Sequence, residues 1–162
     1  MSRVRVGQGL DVHRFSDDPA RPLVLGGLHI ADGPGLAGHS DADVVLHALV
    51  DALLGAAGLG DLGTRYGTDD PAYAGAASAV FLEDARARVR DAGWDVANVD
   101  LTVVAERPRL GPHRERIRDA VAGLLEVDAT AVNVKATTTD GLGVLGRGEG
   151  AACLAVVLIE RR

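Results

Sequence analysis

The sequence predicts an α/β fold, α+β in its layering: a single catalytic domain over residues 1–162, in which a mixed sheet carries helices mainly on one face. Three observations lead there. Strand-like and helix-like segments follow one another from end to end without a linker, internal repeat or low-complexity tract. At 162 residues, the chain can bury roughly 70% of the surface that its unfolded form exposes, enough for one core. Its single cysteine, Cys153, lies inside the apolar run "ACLAVVLI", so no intrachain disulfide holds the fold and no thiolate cluster can bind zinc.

The first segment, "VRVGQG" (4–9), alternates as a strand does, and "PLVLGGLHI" (22–30) reads as a second, with Gly26 and Gly27 as a turn or bulge inside it. From Ser40 the apolar spacing becomes helical. Over "SDADVVLHALVDALLGAAG" (40–58), Ser40 is the expected N-cap, Asp43 its capping-box partner, and the glycines from Gly55 onward the stop. "SAVFLEDARARVRDAG" (78–93) predicts a second helix, capped by Ser78 and closed by Gly93. A strand follows at "VDLTVVAE" (99–106), then a third helix at "PHRERIRDAVAGLLEV" (112–127) with Pro112 in its first turn. "AVNVKATT" (131–138) and "AACLAVVLIE" (151–160) complete the strands.

Charge and composition narrow the function. A formal charge of −6 argues against a general nucleic-acid binder, which needs a basic surface to displace counterions. One Trp, two Tyr and two Phe leave few stacking platforms, whereas 21 glycines allow backbone to approach a ligand closely. No run approaches the ~18 apolar residues of a membrane span, and "MSRVRVGQG" lacks the apolar core of a signal peptide, so a soluble, cytoplasmic protein is expected.

Candidate chemistry begins at "GLDVHRF" (9–15). Asp11 and His13 are two positions apart on an extended segment and therefore share a face. On the first helix, His47 has Asp43 and Asp51 at i−4 and i+4, an arrangement that would hold its imidazole in one tautomer. Asp11, His13 and His47 would form a His₂Asp set with one coordination position left open, as catalytic zinc sites have. Spacing alone weighs this equally against a helix histidine bridging two acids. His39 precedes the expected N-cap, where helix amides favour an anion; it is otherwise an ordinary loop residue. "KATTTDGLG" (135–143) joins Lys135, three threonines and Asp140, able to hold phosphate oxygens and Mg²⁺, or simply a solvated strand end. "GLGVLG" (141–146) spells the dinucleotide motif, but no helix pattern follows and too few residues remain for a βαβ unit. Arg147 and Glu149 are either an exposed ion pair or a second anion site. The chain has no G-x-S-x-G elbow, H-E-x-x-H or Walker lysine motif, and covalent catalysis has no evident nucleophile.

Taken together, "GLDVHRF", "LVLGG", "GLAGHSDADVVLHALVDALLGAAGLGDLG", "DDP", "AERPRLGPH", "VNVKATTTDGLG" and "GRGEGAA" resemble the 2-C-methyl-D-erythritol 2,4-cyclodiphosphate synthase family, from about residue 6 to residue 158. The resemblance implies a homotrimer with sites at its three interfaces. The implied reaction belongs to the non-mevalonate isoprenoid pathway: the 2-phosphate of 4-diphosphocytidyl-2-C-methyl-D-erythritol 2-phosphate attacks its own β-phosphate and expels CMP. By the same resemblance Asp11, His13 and His47 are the zinc ligands. His39 and Thr138 are the transition-state-stabilising pair, and His39 and Ser40 touch the phosphate end. Asp61, Leu62 and Gly63 of "GDLG", with Asp70, match the erythritol-binding loops. A cytidine pocket of largely main-chain contacts falls on Ala105, Glu106, Arg107 and Pro108, and continues through Arg109, Leu110 and Gly111. Thr137, Thr138, Thr139 and Asp140 match a segment for phosphate and Mg²⁺ (or Mn²⁺) supplied across a subunit boundary, and Val144 and Arg147 lie toward the trimer axis.

The chain departs from the family pattern in four places. Thr68 of "YGTDDP" stands where an aspartate is common, and Asp140 where glutamate is usual. Leu10 and Val144 replace typical phenylalanines near the axis, where Arg147 and Glu149 persist and leave an axial isoprenoid-diphosphate site open as a reading. Two rivals to the synthase remain at this stage. One is a non-catalytic trimeric metal- or anion-binding module; the other is a metal-dependent phosphohydrolase with water as nucleophile.

Overall fold

The computed structural model describes residues 3–67 and 70–162. The alternation seen at "VRVGQG" continues without a break into the Asp11/His13 segment, giving one long strand, β1 (Val4–Arg14). Gly26 and Gly27 both have positive φ, 64° and 80°, as a two-residue hairpin turn requires. The expected second strand is therefore a small hairpin of β2 (Leu23–Leu25) and β3 (Leu28–Ile30). The chain continues through α1 (Val44–Ala57), a single turn and a half in α2 (Leu62–Tyr66), α3 (Ala79–Asp91) and β4 (Trp94–Val104). It ends with α4 (Arg114–Leu125), β5 (Val132–Thr137), the one-turn α5 (Gly143–Gly146) and β6 (Gly150–Arg161).

Four strands form one mixed sheet in the order β1-β6-β4-β5. β6 runs antiparallel to both neighbours, and β4 and β5 are parallel. The predicted mixed sheet and one-sided helix layer are both present. Gly7, Gly9, Val99, Leu101, Val103, Cys153, Ala155 and Val157 face the helices and are buried. Across the sheet, Val6, Leu10, Val12, Leu154 and Val156 are exposed. Burial pushes the Cys153 thiol up, so the one cysteine is a core residue and supplies no nucleophile. Among the described residues, no helix is long and apolar enough to cross a membrane.

The first helix starts later than the sequence suggests. Ala42 is left-handed at φ 56°, which breaks the helix path between Ser40 and Val44. Asp43, not Ser40, is the N-cap: its carboxylate accepts from the amides of Val45 and Leu46 at 3.0 and 3.1 Å. It also accepts from Gly26 and Gly27 at 2.9 and 2.7 Å, pinning the hairpin to the helix. Gly55 lies within the helix; Gly58, left-handed at φ 74°, ends it. Ser78 precedes α3 as expected, but makes no side-chain cap. Pro112 lies in a 3₁₀ turn, Gly111–His113, that leads into α4.

Helix α1 is buried on nearly every side, and it lies almost against the backbone of β1. A Cβ at Gly7 would fall 1.9 Å from the Ala52 carbonyl oxygen, and one at Gly9 would fall 1.8 Å from that of Ala48. No rotamer change relieves a clash with backbone, so Gly9→Ala should cost more than about 2 kcal/mol. Chemical denaturation of the variant checks this; a midpoint shift corresponding to a few tenths of a kcal/mol would refute the close approach.

Candidate functional site

The Gly7/Gly9 contact sets the geometry of the site. Gly7, Gly9, Asp11 and His13 occupy alternate positions of β1 and point to the helix side. The glycines seat α1 in register, with Gly9 opposite Ala48, so the acid and imidazole just beyond meet the residue before Ala48, His47. Asp11 Oδ2 lies 2.9 Å from His13 Nε2 and 3.1 Å from His47 Nδ1, and the two nitrogens are 3.3 Å apart. Three donors about 2.0–2.1 Å from a tetrahedral ion would sit roughly 3.3 Å from one another, so the triangle is already close to the size a zinc ion needs. No other group of three such side chains occurs among the described residues.

Each imidazole is held by its other nitrogen. His13 Nδ1 donates to the Ala37 carbonyl at 2.7 Å. His47 Nε2 lies 2.8 Å from Ser78 Oγ and 3.2 Å from Ser40 Oγ. Outer hydrogen bonds of this kind orient metal-binding histidines. The expected partners of His47, Asp43 and Asp51, are engaged elsewhere: Asp43 caps α1, and Asp51 accepts the Leu62 amide at 2.7 Å at the head of α2. The capping change also revises His39, because the first helix amides are taken by Asp43. His39 Nε2 instead donates to the Asp70 carbonyl at 2.8 Å.

Electrostatics match a cation site. Burial opposes ionisation of Asp11, but the hydrogen bond from His13 and the nearness of the two imidazoles outweigh it and hold the carboxyl well below the usual range. The hydrogen bond to Asp11 raises His13 above its ordinary value, against the effect of burial. A proton on His13 thus takes part of the place a cation would fill.

The donors open into a cavity of about 270 Å³ shared with His39, Ser40, Leu62, Tyr66, Gly67, Tyr73 and Phe81. Of the predicted substrate loop, Leu62 lines this space. Asp61 caps α2 through the Thr64 amide, and Gly63 lies in the helix behind it. Asp70 caps the turn Pro71–Tyr73, and Thr68 lies outside the described residues. The three aromatic rings were not singled out in the sequence; they pack on one another with centroids 4.9 to 6.0 Å apart and form an apolar wall. The sequence marks Ser78 only as a helix cap.

A second cavity, about 390 Å³, gathers Ala105, Glu106, Pro108, Arg109, Leu110, Gly111, Thr137 and Thr138. The predicted cytidine and phosphate segments therefore do adjoin: Ala105 N–H donates to the Thr137 carbonyl, and Glu106 accepts the Thr139 amide. Arg107 turns away, with its guanidinium 5.3 Å from the Phe15 ring, and with Val144 and Glu149 it lines a separate cavity of about 610 Å³. Asp140 is left-handed at φ 56°, and its amide donates to Thr138 Oγ1. Lys135 pairs with Asp100 at 2.5 Å rather than joining the threonines. Arg147 and Glu149 form an exposed ion pair at 2.6 Å. Within one chain His39 and Thr138 line different cavities.

Comparison with known proteins converges on one family. Residues 4–160 match the YgbB family. The chain is 56% identical over 158 residues, 98% of its length and 96% of the relative's, to the 2-C-methyl-D-erythritol 2,4-cyclodiphosphate synthase of Alkalilimnicola ehrlichii. It superposes with a TM-score of 0.93 on the bifunctional IspDF of Campylobacter jejuni, at 42% identity, covering 98% of this chain and 42% of that one. Against the CDP complex of IspF from Plasmodium falciparum the TM-score is 0.87 at 32% identity, with 100% and 99% covered.

The sign of the pH dependence follows from His13. A folded-state pKa above the unfolded value of about 6.5 stabilises the metal-free chain fully below that value, and the contribution is lost as pH rises through the raised pKa. Metal binding needs the same lone pair and expels the proton. Affinity for a divalent cation should therefore strengthen with pH across the neutral range, with proton release that calorimetry in buffers of different ionisation enthalpy can count. Asp11→Asn should reduce that release; unchanged release in this variant would show that the Asp11–His13 hydrogen bond does not hold the proton.

Proposed function

Since the chain belongs to the YgbB family, we propose that the Asp11–His13–His47 cluster is the zinc centre of a 2-C-methyl-D-erythritol 2,4-cyclodiphosphate synthase of the non-mevalonate isoprenoid pathway. The curated relatives carry that activity in their names over nearly the full length of the chain. The reaction turns 4-diphosphocytidyl-2-C-methyl-D-erythritol 2-phosphate into the cyclic diphosphate and CMP. One observation carries the site assignment: two imidazole nitrogens and a carboxylate oxygen converge to within 3.3 Å, held from behind and open on one side.

When bound, zinc there and magnesium or manganese beside Asp140 supply positive charge that offsets the phosphates and the developing charge of an in-line displacement. The remaining work falls to the chain's own groups. His39, on leaving the Asp70 carbonyl, and Thr138 donate to phosphate oxygens. Ser40 lies beside the phosphate end, and the segment 137–140 holds the diphosphate. Leu62 and the wall of Tyr66, Tyr73 and Phe81 shield the erythritol from water, so that the internal phosphate outcompetes it as nucleophile. Ala105 to Gly111 hold the cytosine through main-chain groups, which suits a pocket without aromatic residues. A purely structural metal does not account for a donor triangle open on one side, and the names of the curated relatives favour the synthase over a hydrolase.

Because the metal half and the phosphate half line different cavities of one chain, a complete site joins the first of one copy to the second of its neighbour. The exposed apolar sheet face of Val6, Leu10, Val12, Leu154 and Val156 is the surface that a homotrimer would bury. The reaction takes place in the cytoplasm, in keeping with a lone buried thiol and no disulfide.

Incubation with the cytidyl substrate should yield CMP and the cyclic diphosphate by mass, and a chelator should stop both. Linear phosphate products would identify a hydrolase instead. His47→Ala should lower turnover by more than about 100-fold with the fold retained; full activity would remove His47 from the metal set. His47→Ala and Thr138→Ala chains, each inactive alone, should regain activity when refolded together, at about a quarter of the sites as random assembly requires. No recovery would place each complete site within one chain.

A further inference from the structure

A partly buried line of hydrogen bonds ends on His47 from the side away from the donor triangle. Ser78 is fully buried and stands at the N-cap position of α3, yet its side chain caps no helix amide. Its hydroxyl reaches the Asp41 carboxylate on one side and His47 Nε2, at 2.8 Å, on the other. The hydrogens can be placed from chemistry. A carboxylate only accepts, so the Ser78 hydroxyl hydrogen goes to Asp41 and a Ser78 lone pair faces the imidazole. His47 Nε2 must then carry the ring hydrogen, which leaves the Nδ1 lone pair facing Asp11 and His13.

Asp41 is fixed in turn. Its Oδ2 accepts the Ser78 amide at 3.0 Å, and its Oδ1 accepts the Asp43 amide at 3.1 Å. Its own amide donates to the Ala76 carbonyl at 3.0 Å, joining the loop before α3 to the loop before α1. The same two loops meet where the Gly75 amide donates to the His39 carbonyl at 2.9 Å. A serine serving only to start α3 would turn its oxygen to the helix amides, and this one does not.

We propose that Asp41 and Ser78 are a positioning pair for the metal centre: they hold His47 as the Nε2–H tautomer and so present Nδ1 to the cation. The inference rests on reading Asp11, His13 and His47 as metal ligands and adds the residues that prepare one of them. Ser40 supports the pair secondarily, from 3.2 Å, while it accepts the Ala42 amide.

The test uses zinc affinity, by competition with a chromophoric chelator, and the visible absorption of the Co²⁺-substituted protein. Ser78→Ala should weaken zinc binding about 10- to 100-fold and alter the cobalt bands. Ser78→Thr, which keeps the hydroxyl, should restore both. A Ser78→Ala chain that is less stable yet keeps wild-type zinc affinity and cobalt spectrum marks Ser78 as merely structural and overturns the proposal. A wild-type chain that takes up no zinc overturns instead the metal reading beneath it. Should Ser78→Ala fail to fold, NMR of the zinc-loaded wild-type chain decides: a slowly exchanging His47 Nε2–H resonance is expected, and a freely exchanging one refutes the hydrogen bond.

Discussion

The closeness of α1 to β1 is the constraint on which the rest of the molecule depends. Carbonyl oxygens of Ala48 and Ala52 occupy the space where side chains at Gly9 and Gly7 would begin. A helix at that distance cannot slide or rotate freely, because each turn is seated on a bare stretch of strand. Register and depth are thus fixed together, and His47 arrives beside Asp11 as a consequence of packing. The donors stand on a strand and a central helix, which hold side-chain positions better than loops do. Asp43 fixes the other end of the arrangement by joining the start of α1 to the hairpin.

Bringing one carboxylate and two imidazole lone pairs to within 3.3 Å is unfavourable unless something positive lies between them. In the metal-free chain a proton on His13 relieves this, which is why the neighbouring carboxylate raises that imidazole. The rings cannot escape by turning over, since Ala37 holds the far nitrogen of His13 and Ser78 that of His47. Gly38 lets the same loop pass close to the His13 ring, 3.2 Å from where a Cβ would stand. The cluster is therefore matched to a positive charge by the order of its residues along the chain.

Much of this was legible from residue order, for identifiable reasons. Period-two alternation put Asp11 and His13 on one face, and the helical run of 40–58 brought in His47; both signals are local, and both survive in the fold. The start of α1 was misplaced because Ser40 and Asp43 are equally good caps on paper. The left-handed Ala42 and the amides of Gly26 and Gly27, which lie far off in sequence, decide for Asp43. The same kind of distant contact gave Ser78 its role: a serine before a helix signals a cap, and only the fold shows its oxygen turned to an imidazole 31 residues back in sequence. The wall of Tyr66, Tyr73 and Phe81 was hidden because its members have no common periodicity.

The strand that carries the donors carries something else on its reverse. Asp11 and His13 point to the helix side, and Leu10 and Val12, which alternate with them, point to the open face of the sheet. One alternating stretch thus supplies donors to the candidate metal site and apolar surface to the open face of the sheet. If that face is covered by another copy of the chain, as in the proposed trimer, subunit contact and the positions of the donors are mechanically linked through the backbone of residues 10–13. The smaller Leu10 and Val144, where the family pattern has phenylalanine, would then alter that subunit contact as well as the lining of an axial space.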